Sequence, residues 1–324
     1  MNRPCPFSMH SLQFEGNAVE QAQCLLRTVR IGGNVGSDPA ALPQILLNLV
    51  GKSVDITRDQ LQSYLSHMGI AANDVGGALD ASVSKTPHGA KTRYFVIHDT
   101  SDELPGHSFP ADINQATWRS NNLAVRSKNS AHIFINRLGQ SATGHNYSVS
   151  WRATKRERSA ALKGLFLHHE LTQPRIKGSY RYNAVAPTPG FTAATMERLA
   201  LCYVAASLRS GTWMIPAFHC ALDLGISDGH DDPQNFDLFQ WGGAIEGPQR
   251  DPKATCRGRG RGAGRSRRHS TRNGSCRSLG RQANDQGQAD QRNKSPVLQR
   301  RSLPSTRTAP REPTTPTIAR RHSI

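Results

Sequence analysis

Apolar positions in the first part of the chain recur at helical spacing. Val19, Ala22, Leu25, Leu26 and Val29 put one apolar face on residues 18–29. Residues 41–50 form a second apolar run, after the turn-like GGNVGSDP. Thr57 is placed to cap a third helix carrying Leu61, Tyr64, Leu65 and Met68 on one face, and Gly69 is placed to stop it. Three short helices predict a small bundle within residues 11–84. Residues 73–87 are rich in small side chains and read as a linker. Beyond them the pattern changes. RYFVIH (93–98), HIFIN (132–136, followed by the turn RLGQ) and the run 162–171 are β-rich and apolar. Residues 192–208 then form the strongest helix of the chain, capped by Thr192, with Met196, Leu199, Ala200, Tyr203 and Ser207 on one face. Strands alternating with helices predict an α/β (α+β) domain. Its mixed central sheet is flanked by helices and carries a site at one sheet edge.

Charge and composition divide the chain into three regions: helical residues 1–84, an α/β domain at 85–247, and a tail at 248–324. The net charge is +17. Residues 251–324 contain eighteen Lys and Arg against four Asp and Glu, which accounts for +14 of it. The rest of the chain is therefore nearly neutral, and global basicity does not make it a nucleic-acid binder. No Phe, Tyr or Trp follows Trp241. A segment so poor in apolar groups cannot offset its ordering entropy and is expected to be disordered. It would bind RNA or another polyanion if functional; the alternative is a non-selected extension such as a shifted reading frame. The six cysteines show no paired spacing, so reduced thiols are expected, with Cys202 packed in the core. No run of about 18 apolar residues predicts a membrane span, and the N-terminus lacks the apolar centre of a signal peptide.

Three places carry candidate chemistry. His98 ends the strand in FVIHDTSD, where a neutral imidazole points off a rigid edge. His219 follows WMIPAF, and His230, Asp231 and Asp232 follow in the next segment. Two His and one Asp leave a fourth position for water, the arrangement of a catalytic zinc. Glu170, in GLFLHHELT, would serve beside such an ion as general base. HHE is not a zinc-protease helix, because residues 172 and 173 are Thr and Gln where HExxH needs a second His. Phosphate-binding, nucleophile-elbow and dinucleotide-binding glycine motifs are absent.

In order, YFVIHDTSD, AHIFINRLGQ, GLFLHHELT and IPAFH…HDDPQNFDLFQW resemble the zinc-dependent N-acetylmuramoyl-L-alanine amidase family, the type shared by phage lysozyme-like amidases and peptidoglycan recognition proteins. The resemblance spans about residues 90–242. It implies Zn2+ held by His98, His219 and Asp232, with Glu170 as the catalytic carboxylate. His230 stands where many members carry a lysine, and His132 resembles a structural histidine. Gln234 replaces the usual glycine after Pro233, the loop from His219 to Asp232 is longer than in compact members, and Asp231 competes with Asp232 as third ligand. The implied substrate is peptidoglycan or a muropeptide, cut between N-acetylmuramic acid and L-alanine. A non-catalytic peptidoglycan-binding module is the alternative. Synthesis in the cytoplasm without a signal peptide leaves three routes: a released endolysin, an effector delivered to the periplasm or cell wall with a delivery or immunity partner, or a recycler of wall fragments.

Overall fold

A computed structural model of the 324-residue chain describes residues 3–30, 34–104, 108–126, 130–176 and 189–249. Of the predicted tail, 248–324, the first two residues end a helix that runs to Gln249, and the rest lies outside the described residues. Two short antiparallel pairs frame the first helix: β1 (Phe7–Ser8) with β2 (Gln13–Phe14), and β3 (Val29–Arg30) with β4 (Asn34–Val35). Between them runs α1 (Ala18–Leu25), closed by a capping box of Asn17 and Glu20. The predicted helix over 18–29 thus stops short, because Val29 turns into β3. Next come α2 (Gln44–Leu49) and α3 (Arg58–Met68). Thr57 accepts the N–H of Gln60 and Gly69 adopts the left-handed conformation, so both predicted ends of α3 are present. The region is more mixed than an all-helical bundle.

The linker reading of residues 73–87 is corrected. Val75, Leu79 and Val83 are buried, and Gly76, at φ +94°, faces the Tyr147 ring where a Cβ would clash. Small residues here permit close packing rather than flexibility.

The central sheet is built from β5 (Tyr94–Asp99), β7 (Ile133–Ile135), β8 (Ser141–Thr143), β9 (Phe166–Leu171) and β11 (Ile215–Phe218), in the order β11-β5-β9-β7-β8. All neighbours are parallel except the β7–β8 hairpin. A small parallel pair, β6 (Asp102–Leu104) with β10 (Pro174–Ile176), extends beyond the ends of β5 and β9. Three helices complete the described residues: α4 (Ala193–Ser210), α5 (His219–Asp223) and α6 (Leu238–Gln249). The run 162–171 becomes strand only from Phe166, since residues 160–162 form a 3-10 turn and Gly164 follows at φ +88°.

Strand periodicity assigns the two faces of the sheet. Phe95 points toward α4 and α6, where it meets Tyr203 and Trp241. Tyr94 points the other way, toward α1. Its hydroxyl accepts from Phe14 N–H and donates to Gln21. Leu25, Leu46 and Leu65 join the strand residues in one hydrophobic cluster. Burying side chains of this size contributes roughly 1.5–3 kcal/mol each. The expected free thiols are also corrected. Cys5 and Cys24 form a disulfide that ties the N-terminal segment to α1, while Cys202 and Cys220 are free and buried. Among the described residues no helix is long and apolar enough to cross a membrane.

Candidate metal centre

The carboxyl ends of β5, β9 and β11 lie side by side, the edge at which parallel sheets present ligands. His98 is the fifth residue of β5 and pairs in register with Glu170 on β9. His219 begins α5 immediately after β11. Strand alternation sends His98, His168 and Glu170 to one face, while His169 points to the other. There His169 stacks on Phe95 and meets the Tyr147 hydroxyl at 2.7 Å. The HH doublet is therefore divided between site and core.

From His219 the chain makes its long excursion and returns at Asp232, which precedes a cis proline. Two backbone bonds hold the return. Cys220 N–H donates to the Asp232 carbonyl at 2.9 Å, and Asp99 N–H donates to Asp232 Oδ2 at 3.1 Å. The residues following each histidine thus secure the aspartate between them. Gln234 N–H donates to Asp99 Oδ2 at 2.8 Å, which anchors the next residue but one. The length of the loop therefore does not stop Asp232 from reaching the histidines. Asp231 turns away into a bidentate pair with Arg175, at 2.7 and 3.1 Å.

His98, His219 and Asp232 are buried, and their donor atoms lie within 4.8 Å of one another, a group able to hold a metal ion. His98 Nδ1 is 2.8 Å from His219 Nδ1, His219 Nδ1 is 3.0 Å from Asp232 Oδ1, and His98 Nδ1 is 3.7 Å from Asp232 Oδ2. Donors about 2.0–2.1 Å from a tetrahedral zinc stand roughly 3.3 Å apart, and the three separations bracket that value. Two imidazoles and a carboxylate also match zinc in chemical type. The donor set fits the ion.

The local field is strong. Burial drives the His98 imidazole well below its ordinary pKa, and His219 adds to the effect. Burial alone would lower His219 too, but Asp232 and Asp223 lift it to about 10. Asp232 is held far below the usual carboxylate range by His219, against the opposing effect of burial. Burial pushes Glu170 well above its ordinary value, and the Asp232 charge pushes in the same direction. Glu170 Oε1 stands 3.9 Å from His98 Nδ1. It opens onto a cleft of about 530 Å³ that His219, His230 and Asp232 also line. His230 is half exposed, stacks on His219 at 4.4 Å, and places Nδ1 3.5 Å from Asp232 Oδ1. His132 lies deeper. It accepts the His168 N–H at Nδ1, so its proton sits on Nε2 and faces the Val149 carbonyl.

Sequence reasoning missed the groups behind the two histidines. His219 Nε2 is 3.0 Å from Asp223 Oδ2, four residues on and one helical turn away. His98 Nε2 is 3.0 Å from His168 Nδ1, and His168 Nε2 is 3.0 Å from Glu157 Oε2. The H-x-x-x-D spacing was a usable signal for Asp223, and strand alternation from Glu170 was one for His168. Nothing local marked Glu157.

No protein-family model matches the chain, and no curated protein matches it. Among solved structures, the crystal structure of a selenomethionine derivative of AmpD aligns at 18% identity and a TM-score of 0.30. The alignment covers 53% of this chain and 98% of that one.

Proposed function

We propose that the protein is a zinc-dependent amidase that cleaves the bond between N-acetylmuramic acid and L-alanine in peptidoglycan or its fragments. Its catalytic unit is residues 85–247, with the N-terminal region as a packed cover. The observation that carries this reading is the convergence of His98, His219 and Asp232 beside Glu170 at the open end of the sheet. The ordered resemblance of the surrounding motifs supplies the substrate class.

His98 and His219 would hold Zn2+ through Nδ1 and Asp232 through a carboxylate oxygen; the bound ion supplies an acidified water and polarises the scissile carbonyl. Glu170 takes the proton of the attacking water. It then delivers that proton to the departing L-alanine amine. His230, at the exposed rim, donates to the oxygen on which negative charge develops. A disulfide between Cys5 and Cys24 suits an oxidising compartment, which favours an enzyme working at the wall over a cytosolic recycler.

The test is incubation of the zinc-loaded full chain with purified muropeptides, with mass spectrometry of the products. Free stem peptide and intact N-acetylmuramic acid are expected. Stoichiometric zinc without cleavage of that amide would refute the assignment.

A further inference from the structure

The two histidines of the metal centre are each backed by a buried carboxylate, and one short segment anchors both carboxylates. Asp223, which faces His219 Nε2, accepts the backbone N–H groups of Lys155 and Arg156 at 3.2 and 3.1 Å. Glu157 lies behind His168. Its Oε2 accepts Ala153 N–H, Thr154 N–H and the Thr154 hydroxyl at 3.0–3.2 Å. Glu157, His168 and Asp223 are all buried. Hydrogen bonds from this segment offset the cost of burying each carboxylate.

The directions of these contacts agree with one another. If His98 uses Nδ1 toward an ion, its Nε2 must carry the proton and donate to His168 Nδ1. His168 must then carry its own proton on Nε2, which lies 3.0 Å from Glu157 Oε2 as a close contact without hydrogen-bond alignment. His219 follows the same logic in a single step, donating from Nε2 to Asp223. His98 and His219 are each left with Nδ1 facing the other and Asp232. A charged acceptor behind a ligand imidazole fixes its tautomer and raises its basicity.

We propose that residues 153–157 form a brace for the metal centre, acting directly on Asp223 for His219 and through the His168–Glu157 relay for His98. Glu157, His168 and Asp223 are positioning residues, and none reaches the cleft. The inference rests on the reading of His98, His219 and Asp232 as ligands, and it adds a defined outer arrangement to that reading. It predicts that zinc affinity depends on residues remote from the ion.

The experiment measures zinc affinity by chelator competition on the full-length protein. The variants are Glu157→Gln, His168→Gln and Asp223→Asn, with His98→Ala as reference. Each of the first three is expected to bind zinc about 10- to 100-fold more weakly. The Glu157→Gln/His168→Gln double variant is expected to lose little more than the worse single variant, because both interrupt one chain. Unchanged affinity in the three variants, with the ion lost in His98→Ala, overturns the brace and leaves the metal centre standing. Full zinc binding by His98→Ala overturns the metal centre and the brace with it. Histidine 15N shifts of the zinc-loaded parent protein need no variant. A proton on Nε2 of both His98 and His168 supports the relay, and a proton on Nδ1 of His98 overturns it.

Discussion

Breaking the Cys5–Cys24 disulfide changes the unfolded chain more than the folded one. The bridge closes a loop with a sequence separation of 19. Removing that constraint returns loop entropy to the unfolded ensemble, an effect of about 3 kcal/mol for a loop of this length. The folded side of the balance changes little, since the packing around the bridge does not depend on the bond. Cys5 is buried, and the Arg27 guanidinium bonds the carbonyls of Arg3, Cys24 and Gly36 around it. For a folded unit of this size, about 3 kcal/mol corresponds to a drop in Tm of roughly 6–12 °C. The assay is thermal unfolding of the parent with and without reductant, beside the Cys5→Ser/Cys24→Ser variant. Reductant should lower the parent midpoint and leave the variant unmoved. Equal midpoints in all samples, or ready alkylation of Cys5 and Cys24 in the denatured, unreduced protein, would refute the reasoning.

Zinc should raise the midpoint of the parent chain and a chelator should lower it, by an amount that grows with the logarithm of free ion concentration. His98→Ala, His219→Ala and Asp232→Ala should abolish that response in the same titration. Asp231→Ala should keep it, because Asp231 is engaged with Arg175 instead. Glu170→Gln should retain bound zinc and lose amide cleavage by about 100- to 10,000-fold, read by product analysis at fixed zinc occupancy. Gly76→Ala should destabilise the fold by about 1–3 kcal/mol in urea unfolding. Its Cβ would fall 2.3 Å from the Tyr147 ring at a positive φ. Tyr203→Phe should cost about 1–3 kcal/mol, since it leaves the buried Met214 carbonyl without the hydroxyl that now donates to it.

Local pattern alone determined α3 and α4 with their caps, the strand cores and the α/β class. Caps and periodicity act over a few residues, so Thr57, Gly69 and Thr192 could be recognised without knowing their neighbours. His98 and His219 stood out in the sequence as strand-end histidines, and Asp232 only through its place in the resemblance. Tertiary structure decided what depends on distance through space. It placed Asp232 beside the two histidines, held by the backbone N–H of Asp99, and turned Asp231 to Arg175. It paired Cys5 with Cys24, which no spacing motif marked. It packed residues 73–87 against Tyr147 where composition suggested a linker. Glu157 is the clearest case. It lies in a short turn with no periodicity of its own, and it gains meaning only because folding of the sheet brings His168 to within 3.0 Å of it. Sequence pattern reports the faces and ends of elements, while convergence of buried charge is a property of their assembly.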